Sequence, residues 1–387
     1  MSGARTCLLL ADYHALRPFI VRSHQYLSRA AAFQKGLGKE VDVRLFLSGP
    51  EVSVEAMEEQ CGMEVGEELV RFGPSRISRL LGVKLTRTGR FVRAVEREVL
   101  RLSERGEVVV YLRTLKLAYL LLPFLEREGI SFVFETHEVF HLSHPGAEME
   151  RMEREVYARA AVVIPISVPL GEDVEKIFGV EPGPVLASGH SGVNFGLPDY
   201  VGGAEARFLY IGSLHRWKGL EPFLLATKKF QVPTDVVGDA GGLERMKEFC
   251  QEYELEHVVF HGQQAPEELA KFYHSGAICV LPLSEEKIAQ RYTSPLKLFE
   301  YAAAGRPVLV GDTPTIRTIP GVEEVACLVG EGGWETAVGE LLGDEAARVK
   351  MAAAGRRFAR GFTWAALAEG LGEDVDFRAL LKLPSQF

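Results

Sequence analysis

One carboxylate, Glu300, stands among apolar residues in the segment RYTSPLKLFEYAAAGRPVLVGD. Its neighbours in the chain include Leu298, Phe299 and Tyr301. A carboxylate in apolar surroundings is costly unless it accepts hydrogen bonds. The two adjacent hydroxyl groups of a ribose would supply such bonds, and the alternatives are an internal salt bridge or an exposed Glu. Glu300 is therefore a candidate binding residue.

Two cations, Arg216 and Lys218, lie in a second segment, YIGSLHRWKGLEPFLLA. Gly212 lets the backbone turn tightly after a predicted strand, and a helix is predicted to begin at Gly219. A cation beside a helix N-terminus is well placed to bind a diphosphate. For this stretch alone, the alternative is a Lys in an ordinary strand-to-helix loop.

The helix that carries Glu300 has predicted ends on both sides. Ser294 followed by Pro295 is typical of a cap and a first-turn proline, and Gly305 is typical of a helix end. The N–H groups in the first turn, within residues 294–297, would then be available to a bound anion.

Short apolar runs alternate with amphipathic helical patterns along most of the chain, which predicts parallel sheets with crossover helices. In the first half we expect strands at residues 6–10, 41–46, 108–112, 131–135, 161–166 and 184–187. In the second half we expect them at residues 207–211, 234–237, 257–260, 277–281 and 307–310. Ligands of such sheets bind at the carboxyl ends of the strands.

The glycine-rich segment 189–203 predicts an interdomain linker and not a packed element. A second break at Gly361 and Thr363 predicts the end of one helix and the cap of the next. The expected organisation is an N-terminal domain at residues 1–190, a linker at 191–205, a second domain at 206–362 and a C-terminal helix at 363–387.

Composition excludes several classes of protein. The five cysteines are far apart and form no CxxC pair, so neither a disulfide framework nor a zinc cage is indicated. The first apolar run lacks a signal-peptide cleavage region, and the longest one, residues 117–125, is about half as long as a membrane span. These features predict a cytoplasmic protein of two domains.

The net charge of −9 argues against nucleic acid as a partner, but the charge is uneven. Residues 71–105 contain ten Lys and Arg against three Glu, a local +7 that leaves −16 elsewhere. The ten include Arg71, Arg76, Arg79, Lys84 and Arg87. Such asymmetry predicts a particular surface for a particular partner.

A helical projection of the end of this region separates apolar from basic residues. Phe91, Val95, Val99 and Leu102 share one arc, and Arg90, Arg93, Arg97 and Arg101 share the opposite arc. The arginines predict a surface for an anionic membrane or a lipid-linked acceptor, which would hold the protein at the inner face of the plasma membrane. A solvated helix face is the alternative.

The segments around Lys218 and Glu300 together resemble the donor domain of the retaining, GT-B-fold glycosyltransferases of family 4, the group 1 transferases. The resemblance runs from about residue 207 to 362, and the match at SPLKLFEYAAAGRPVL is specific. It implies two facing Rossmann-like α/β domains with a cleft between them and a C-terminal helix that crosses back to the first. It also implies that Lys218 binds the diphosphate of a nucleotide sugar and that Glu300 binds its ribose.

The resemblance extends to further residues. The turns at Gly238-Asp239 and Gly262 resemble the base-side loops of the family, and FVFETHE resembles its strand ending in a His that faces the donor sugar. These matches assign catalytic roles to His137, Lys218 and Glu300. For His137 alone, the alternative is a structural polar residue after a strand. They assign donor binding to Gly212, Ser213, Arg216, Lys218, Gly238, Asp239, Gly262, Tyr292, Ser294, Pro295, Lys297, Leu298 and Glu300.

Two positions depart from the family pattern. Ser213 stands where many relatives have Arg, and Tyr292 stands where relatives often have a second Glu. Arg216 and Arg291 are candidates for the missing cation, and the acceptor cannot be carried over from the family.

The implied reaction is transfer of a sugar from a UDP- or GDP-sugar with retention, by front-face attack, without a metal or other cofactor. An epimerase or phosphorylase of the same fold is one alternative. A non-catalytic protein that binds sugar nucleotides is another, and the sequence does not identify the sugar, the base or the acceptor.

Overall fold

A computed structural model describes residues 5–12, 21–37, 41–61, 63–73, 79–80, 83–84, 87–375 and 377. The chain divides into two compact units. Unit 1 consists of Met1–Ser191 and Trp364–Phe387, and unit 2 consists of Gly192–Thr363.

The first part of unit 1 alternates strands and helices. Its strands are β1 (Arg5–Asp12), β2 (Val41–Ser48), β3 (Val70–Gly73), β4 (Arg79–Leu80), β5 (Val83–Lys84), β6 (Gly106–Leu112), β7 (Phe132–Thr136) and β8 (Val162–Pro165). Its helices are α1 (Val21–Leu37), α2 (Val54–Cys61), α3 (Arg87–Ser103), α4 (Leu115–Glu128), α5 (Phe140–Ser143), α6 (Ala147–Arg159) and α7 (Val168–Phe178).

Six of these strands form one parallel sheet in the order β3-β2-β1-β6-β7-β8, while β4 and β5 form a separate antiparallel pair. This is the strand order of a Rossmann sheet, in which the direction of winding reverses between β1 and β6. Apolar strand residues such as Leu8, Leu10, Val43 and Val109 fill its core.

One strand predicted in this unit is wrong, and three strands that were not predicted are present, namely β3, β4 and β5. Residues 184–187 are irregular and make only isolated bonds to the sheet edge, from Gly183 N to Val163 O and from Leu186 N to Pro165 O. Pro184 has no N–H to donate, so a regular ladder cannot form there. Of these, only β3 belongs to the six-stranded sheet, and its sequence VRFG lacks an apolar run.

Unit 2 repeats the architecture. Its strands are β9 (Arg207–Ile211), β10 (Thr234–Val237), β11 (Val258–Gly262), β12 (Ala277–Leu281), β13 (Val308–Gly311) and β14 (Ala326–Val329). Its helices are α8 (Leu220–Thr227), α9 (Leu243–Glu252), α10 (Lys287–Arg291), α11 (Leu296–Ala303), α12 (Pro314–Arg317), α13 (Val322–Val325), α14 (Trp334–Gly343) and α15 (Glu345–Ala359).

The unit 2 sheet is parallel and has the order β11-β10-β9-β12-β13-β14, which is again the Rossmann order. The prediction of two α/β sheets with parallel strands is confirmed. Only the edge strand β14, with the sequence ACLV, was not predicted in this unit.

Two local predictions in unit 2 are wrong. The helix that carries Glu300 begins at Leu296 with Pro295 in the cap position, one residue later than predicted. The glycine-rich segment is also partly packed. Its residues Val193–Gly196 form a 3-10 turn, and the Phe195 and Leu197 carbonyls accept hydrogen bonds from Arg356.

The chain returns to unit 1 at α16 (Trp364–Asp374). Trp364, Ala368 and Leu371 are buried in the unit 1 core together with residues of α1. The helices approach closely, since a Cβ atom on Gly36 of α1 would lie 3.1 Å from the Ala368 Cβ. Unit 1 is thus completed by a helix that follows unit 2 in the chain.

Candidate functional site

The switch point of the unit 2 sheet lies between β9 and β12, where ligands of such folds bind beyond the carboxyl ends of the strands. A 3-10 turn, Arg216–Lys218, follows β9 and leads into α8. The loop after β12 holds this turn, because the Ser284 hydroxyl donates to the Trp217 carbonyl at 2.8 Å. The sequence therefore places Lys218 at the topological switch point.

Lys218 lies over an aromatic ring and close to another cation. Its Nζ is 3.9 Å from the centroid of the Trp217 ring. Burial, followed by the positive charge of Lys297, lowers the pKa of the Lys218 ammonium to about 8. Two lysines that repel each other in a partly desolvated position are suited to an anion with more than one charge.

Glu300 lies on α11 within one turn of Lys297. The Lys297 Nζ is 2.5 Å from a Glu300 carboxylate oxygen, and both side chains are partly exposed. The internal salt bridge, which was an alternative for Glu300 in the sequence, is therefore present. Both charged groups remain accessible to a ligand.

Helix α11 is attached to the end of β9 by a buried tyrosine. The Ile211 N–H donates to the Tyr301 hydroxyl at 2.8 Å, and Tyr301 is completely buried. On the other side of the helix, the Asn194 side-chain amide donates to the Glu300 carbonyl at 3.1 Å. These bonds fix the helix that carries Lys297 and Glu300 relative to the strand that precedes Lys218.

Three of the predicted glycines lie side by side at the carboxyl ends of β9, β10 and β11. Gly238 N donates to Gly262 O at 2.7 Å, and Gly212 N donates to Val237 O at 2.9 Å. Gly238 has a φ of 127°, and a Cβ there would lie 1.9 Å from Gly212 O. Only glycine fits at this position, because the backbones at the ends of β9 and β10 approach each other so closely.

Asp239 has a structural partner. One of its carboxylate oxygens accepts hydrogen bonds from the backbone N–H groups of Gly241, Gly242 and Leu243, at 2.8, 3.1 and 3.2 Å. It therefore caps the start of α9, and its carboxylate is directed to that helix.

The remaining predicted donor residues lie in different surroundings. Arg216 is exposed, whereas Tyr292, Pro295 and Leu298 are buried. Because Leu298 is completely buried in the core, only its backbone is available to a donor. Ser213 receives a bond at its carbonyl from the Tyr210 hydroxyl at 2.6 Å, and the Ser294 carbonyl accepts the Leu296 N–H.

In unit 1, His137 follows the end of β7 and contacts a carboxylate that the sequence analysis did not single out. Its Nε2 is 2.6 Å from an oxygen of Glu135, which is completely buried. Glu135 also forms an ion pair with buried Arg29 and accepts a hydrogen bond from the Tyr111 hydroxyl. A carboxylate inside the buried strand sequence FVFET was the signal that could have revealed it.

The segment after His137 is held by a second buried carboxylate, Glu153 of α6. Glu153 accepts hydrogen bonds from the backbone N–H of Phe140 at 2.8 Å and of His141 at 3.1 Å. The His141 ring nitrogen Nδ1 lies 2.7 Å from the same carboxylate. These bonds restrict the turn that follows His137.

The predicted basic surface lies on α3. Phe91, Val95, Val99 and Leu102 are buried, and Arg93 and Arg97 are exposed. Arg101 differs, because it pairs with Glu98, which also pairs with Arg71. Arg76 lies outside the described residues, as do the side chains of Arg79, Lys84 and Arg87.

Comparison with known proteins supports the assignment of the fold. Residues 205–344 match the family model of the group 1 glycosyl transferases, which confirms the group 1 part of the predicted resemblance for that segment. Sucrose-phosphate synthase from Thermosynechococcus elongatus superimposes with a TM-score of 0.72, at 17% identity over 98% of this chain and 100% of that one. The protein therefore has the GT-B fold, as predicted.

Two further proteins are informative. Anabaena HepE, solved in complex with UDP-glucose, superimposes with a TM-score of 0.69 at 14% identity over 95% of this chain and 98% of that one. The D-inositol 3-phosphate glycosyltransferase of Corynebacterium urealyticum is 28% identical over 253 residues, or 59% of this chain. The aligned part is 53% of that protein, so the chain spans about half the length of this curated relative.

Proposed function

We propose that the protein transfers a sugar from a nucleotide-sugar donor, a UDP- or GDP-sugar, to an acceptor with retention of configuration. The observation that carries this proposal is the lysine pair at the switch point of the unit 2 sheet, where Lys218 has a lowered pKa beside Lys297. Support comes from the match of this segment to group 1 glycosyl transferases and from the UDP-glucose complex of the similar HepE structure.

In the proposed reaction the two lysines stabilise the negative charge that grows on the diphosphate as its bond to the sugar breaks. Glu300 accepts hydrogen bonds from the ribose hydroxyls, and His137 faces the transferred sugar. The acceptor attacks from the side of the leaving group, and the departing phosphate takes its proton.

We propose that no metal ion takes part. Within the described ranges there is no group of three His, Cys, Asp or Glu side chains that could hold a metal ion. The chain contains one Asp-x-Asp sequence, residues 374–376 in unit 1. Its Asp376 lies outside the described residues. Turnover that survives excess EDTA is expected, and loss of turnover that Mg²⁺ restores would contradict this part.

We further propose that the acceptor is lipid-linked or lies at an anionic membrane surface, with the protein bound peripherally to the inner face of the plasma membrane. Exposed Arg93 and Arg97 on α3 support this, as does Leu100 beside them, whose side chain is 43% exposed. No helix in the described part of the chain is long and apolar enough to cross a bilayer.

Incubation with radiolabelled UDP- and GDP-sugars tests the proposal. Slow release of free sugar without an acceptor is expected, and NMR of the transfer product should show an unchanged anomeric configuration. Conversion of the donor to an isomer would favour an epimerase, and phosphate-dependent release of a sugar phosphate would favour a phosphorylase. Binding of the nucleotide sugar without turnover would favour a non-catalytic protein. That outcome would fit Tyr292, which is buried and stands where the family pattern has a second Glu.

A further inference from the structure

The ion pair between Lys297 and Glu300 occupies two groups that face different parts of the proposed donor. The atoms lie 2.5 Å apart, and the side chains are 25% and 21% exposed. The two residues are three positions apart in α11, so the pair forms within one turn. While it is formed, Glu300 has an ammonium partner in place of a ribose hydroxyl.

Lys297 also acts on Lys218. Burial is the larger cause of the lowered pKa of Lys218, and the positive charge of Lys297 lowers it further. The attachment of α11 to β9 through Tyr301 and Ile211 keeps the helix at this position. The positive charge of Lys297 therefore acts at the same strand end as Lys218.

The position that follows Gly212 at the end of β9 carries no charge in this chain. Ser213 stands at that position and takes part through its carbonyl in a bond from Tyr210. Arg216, the other candidate in this loop, is exposed. Lys297 is the cation that the structure couples to Lys218.

We propose that Lys297 is the second phosphate-binding cation of the donor site and that Glu300 is its counter-ion in the unliganded protein. This inference rests on the proposed function. When the donor binds, the pair separates: Lys297 turns to the diphosphate, and Glu300 accepts hydrogen bonds from the ribose. A partly exposed ion pair is weak, so a diphosphate can displace it.

Because the ion pair separates when the donor binds, Glu300 helps to select ligands that contain a ribose. A ligand that has both a diphosphate and a ribose satisfies both members of the separated pair. Free pyrophosphate draws Lys297 away and leaves the Glu300 carboxylate without a new partner beside a polyanion, which is unfavourable. The site should therefore discriminate against pyrophosphate through the same residue that binds the nucleoside.

The test measures the binding of UDP, GDP and pyrophosphate by calorimetry. Glu300→Gln should weaken the preferred nucleoside diphosphate about tenfold, on the scale of a lost charged hydrogen bond, yet strengthen pyrophosphate about threefold or more. Lys297→Gln should weaken the binding of both the nucleoside diphosphate and pyrophosphate, whereas Lys297→Arg should bind pyrophosphate as the wild type does. The double variant Lys297→Gln/Glu300→Gln should lose the gain in pyrophosphate binding that Glu300→Gln alone shows.

Glu268→Gln provides the matched control. Glu268 pairs with Lys271 at 2.6 Å with the same spacing of three residues, and its substitution changes the net charge equally. It should leave the binding of either ligand within about twofold of wild type, a range set by screening of distant exposed charges.

Two results would overturn the inference: no gain in pyrophosphate binding in Glu300→Gln, or pyrophosphate binding in Lys297→Gln equal to wild type. Circular dichroism of each variant shows that the fold is retained. Failure of the proposed function has a different signature, because wild-type protein would then bind neither UDP nor GDP and hydrolyse no nucleotide sugar. The pyrophosphate series tests the lysine pair in either case.

Discussion

The Nε2 atom of His137 lies 2.6 Å from an oxygen of Glu135, a carboxylate that is completely buried. Glu135 has three other neighbours, since it pairs with Arg29, accepts from Tyr111 and lies 3.9 Å from the Arg113 guanidinium. The imidazole is thus oriented by a group that is itself fixed by cations and a hydroxyl. The contact with Glu135 therefore gives the His137 side chain, which follows the end of β7, a defined orientation.

We expect His137→Ala to lower the rate of sugar transfer by a factor of about ten or more while UDP or GDP binding changes less than about twofold. The reason is that His137 is proposed to face the sugar and contributes to transfer, not to binding of the base. Steady-state kinetics and calorimetry on the same preparation measure the two effects. Full activity in the variant would show that the role of His137 is structural and not catalytic.

We expect Glu135→Gln to lower the free energy of unfolding by about 3 kcal/mol, because it leaves the buried Arg29 without its counter-charge. Urea unfolding measures the change. Glu150→Gln is the matched control, since Glu150 pairs with Arg154 on α6 with both side chains about half exposed. That pair should contribute less than about 1 kcal/mol. Equal losses in the two variants would contradict the prediction.

The lowered pKa of Lys218 predicts two effects of pH with opposite signs. The ammonium of the free protein loses its proton as the pH rises through about 8, so UDP or GDP affinity should fall from pH 7 to 9. Between about 8 and 10.5 the unfolded chain holds this proton and the folded protein does not, so folding stability from this group should rise.

Lys218→Arg tests both effects, because an arginine stays protonated throughout this range. The fall in nucleotide affinity should be absent in the variant. A nucleotide affinity of the wild type that is independent of pH would contradict the account of Lys218.

Lys218→Ala should lower the rate of sugar transfer strongly and the free energy of unfolding only slightly, since the charge acts on the leaving diphosphate.

For the basic face of α3 we expect binding to anionic vesicles that weakens with salt and with substitution of Arg90, Arg93, Arg97 and Arg101 by Ser. Each exposed cation near an anionic surface contributes about 1 kcal/mol. Arg101→Ser alone should have a small effect on vesicle binding, because Arg101 is paired with Glu98. Co-sedimentation with phosphatidylserine and phosphatidylcholine vesicles measures this, and no binding at low salt would favour a soluble acceptor.

Apolar periodicity predicted the central strands well, because these strands are buried on both faces. The ranges 207–211, 234–237 and 277–281 match β9, β10 and β12 at both ends. It failed at two of the four edges of the six-stranded sheets, namely at β3, which contains Arg71, and at β14. Edge strands have fewer neighbours, so their sequences carry a weaker apolar signal.

The candidate site was predictable where a residue type alone restricts the chemistry. The glycines at the strand ends and the carboxylate Glu300 could be chosen from the sequence, and their roles toward a donor stay predictions. The proximity of Lys297 to Lys218 could not, because it depends on how α11 packs against β9. The partner of Asp239 was equally hidden, since a cap and a ligand contact use the same carboxylate oxygens.

The return of the chain to unit 1 at α16 has a consequence for synthesis on the ribosome. All of unit 2 is translated before Trp364 and Ala368, which complete the core next to α1. Until then the nascent chain exposes the apolar face of α1, including the surface beside Arg29 on which the Trp364 ring later lies. Unit 2, which is continuous in sequence, can therefore reach its native state before the unit that precedes it in the chain.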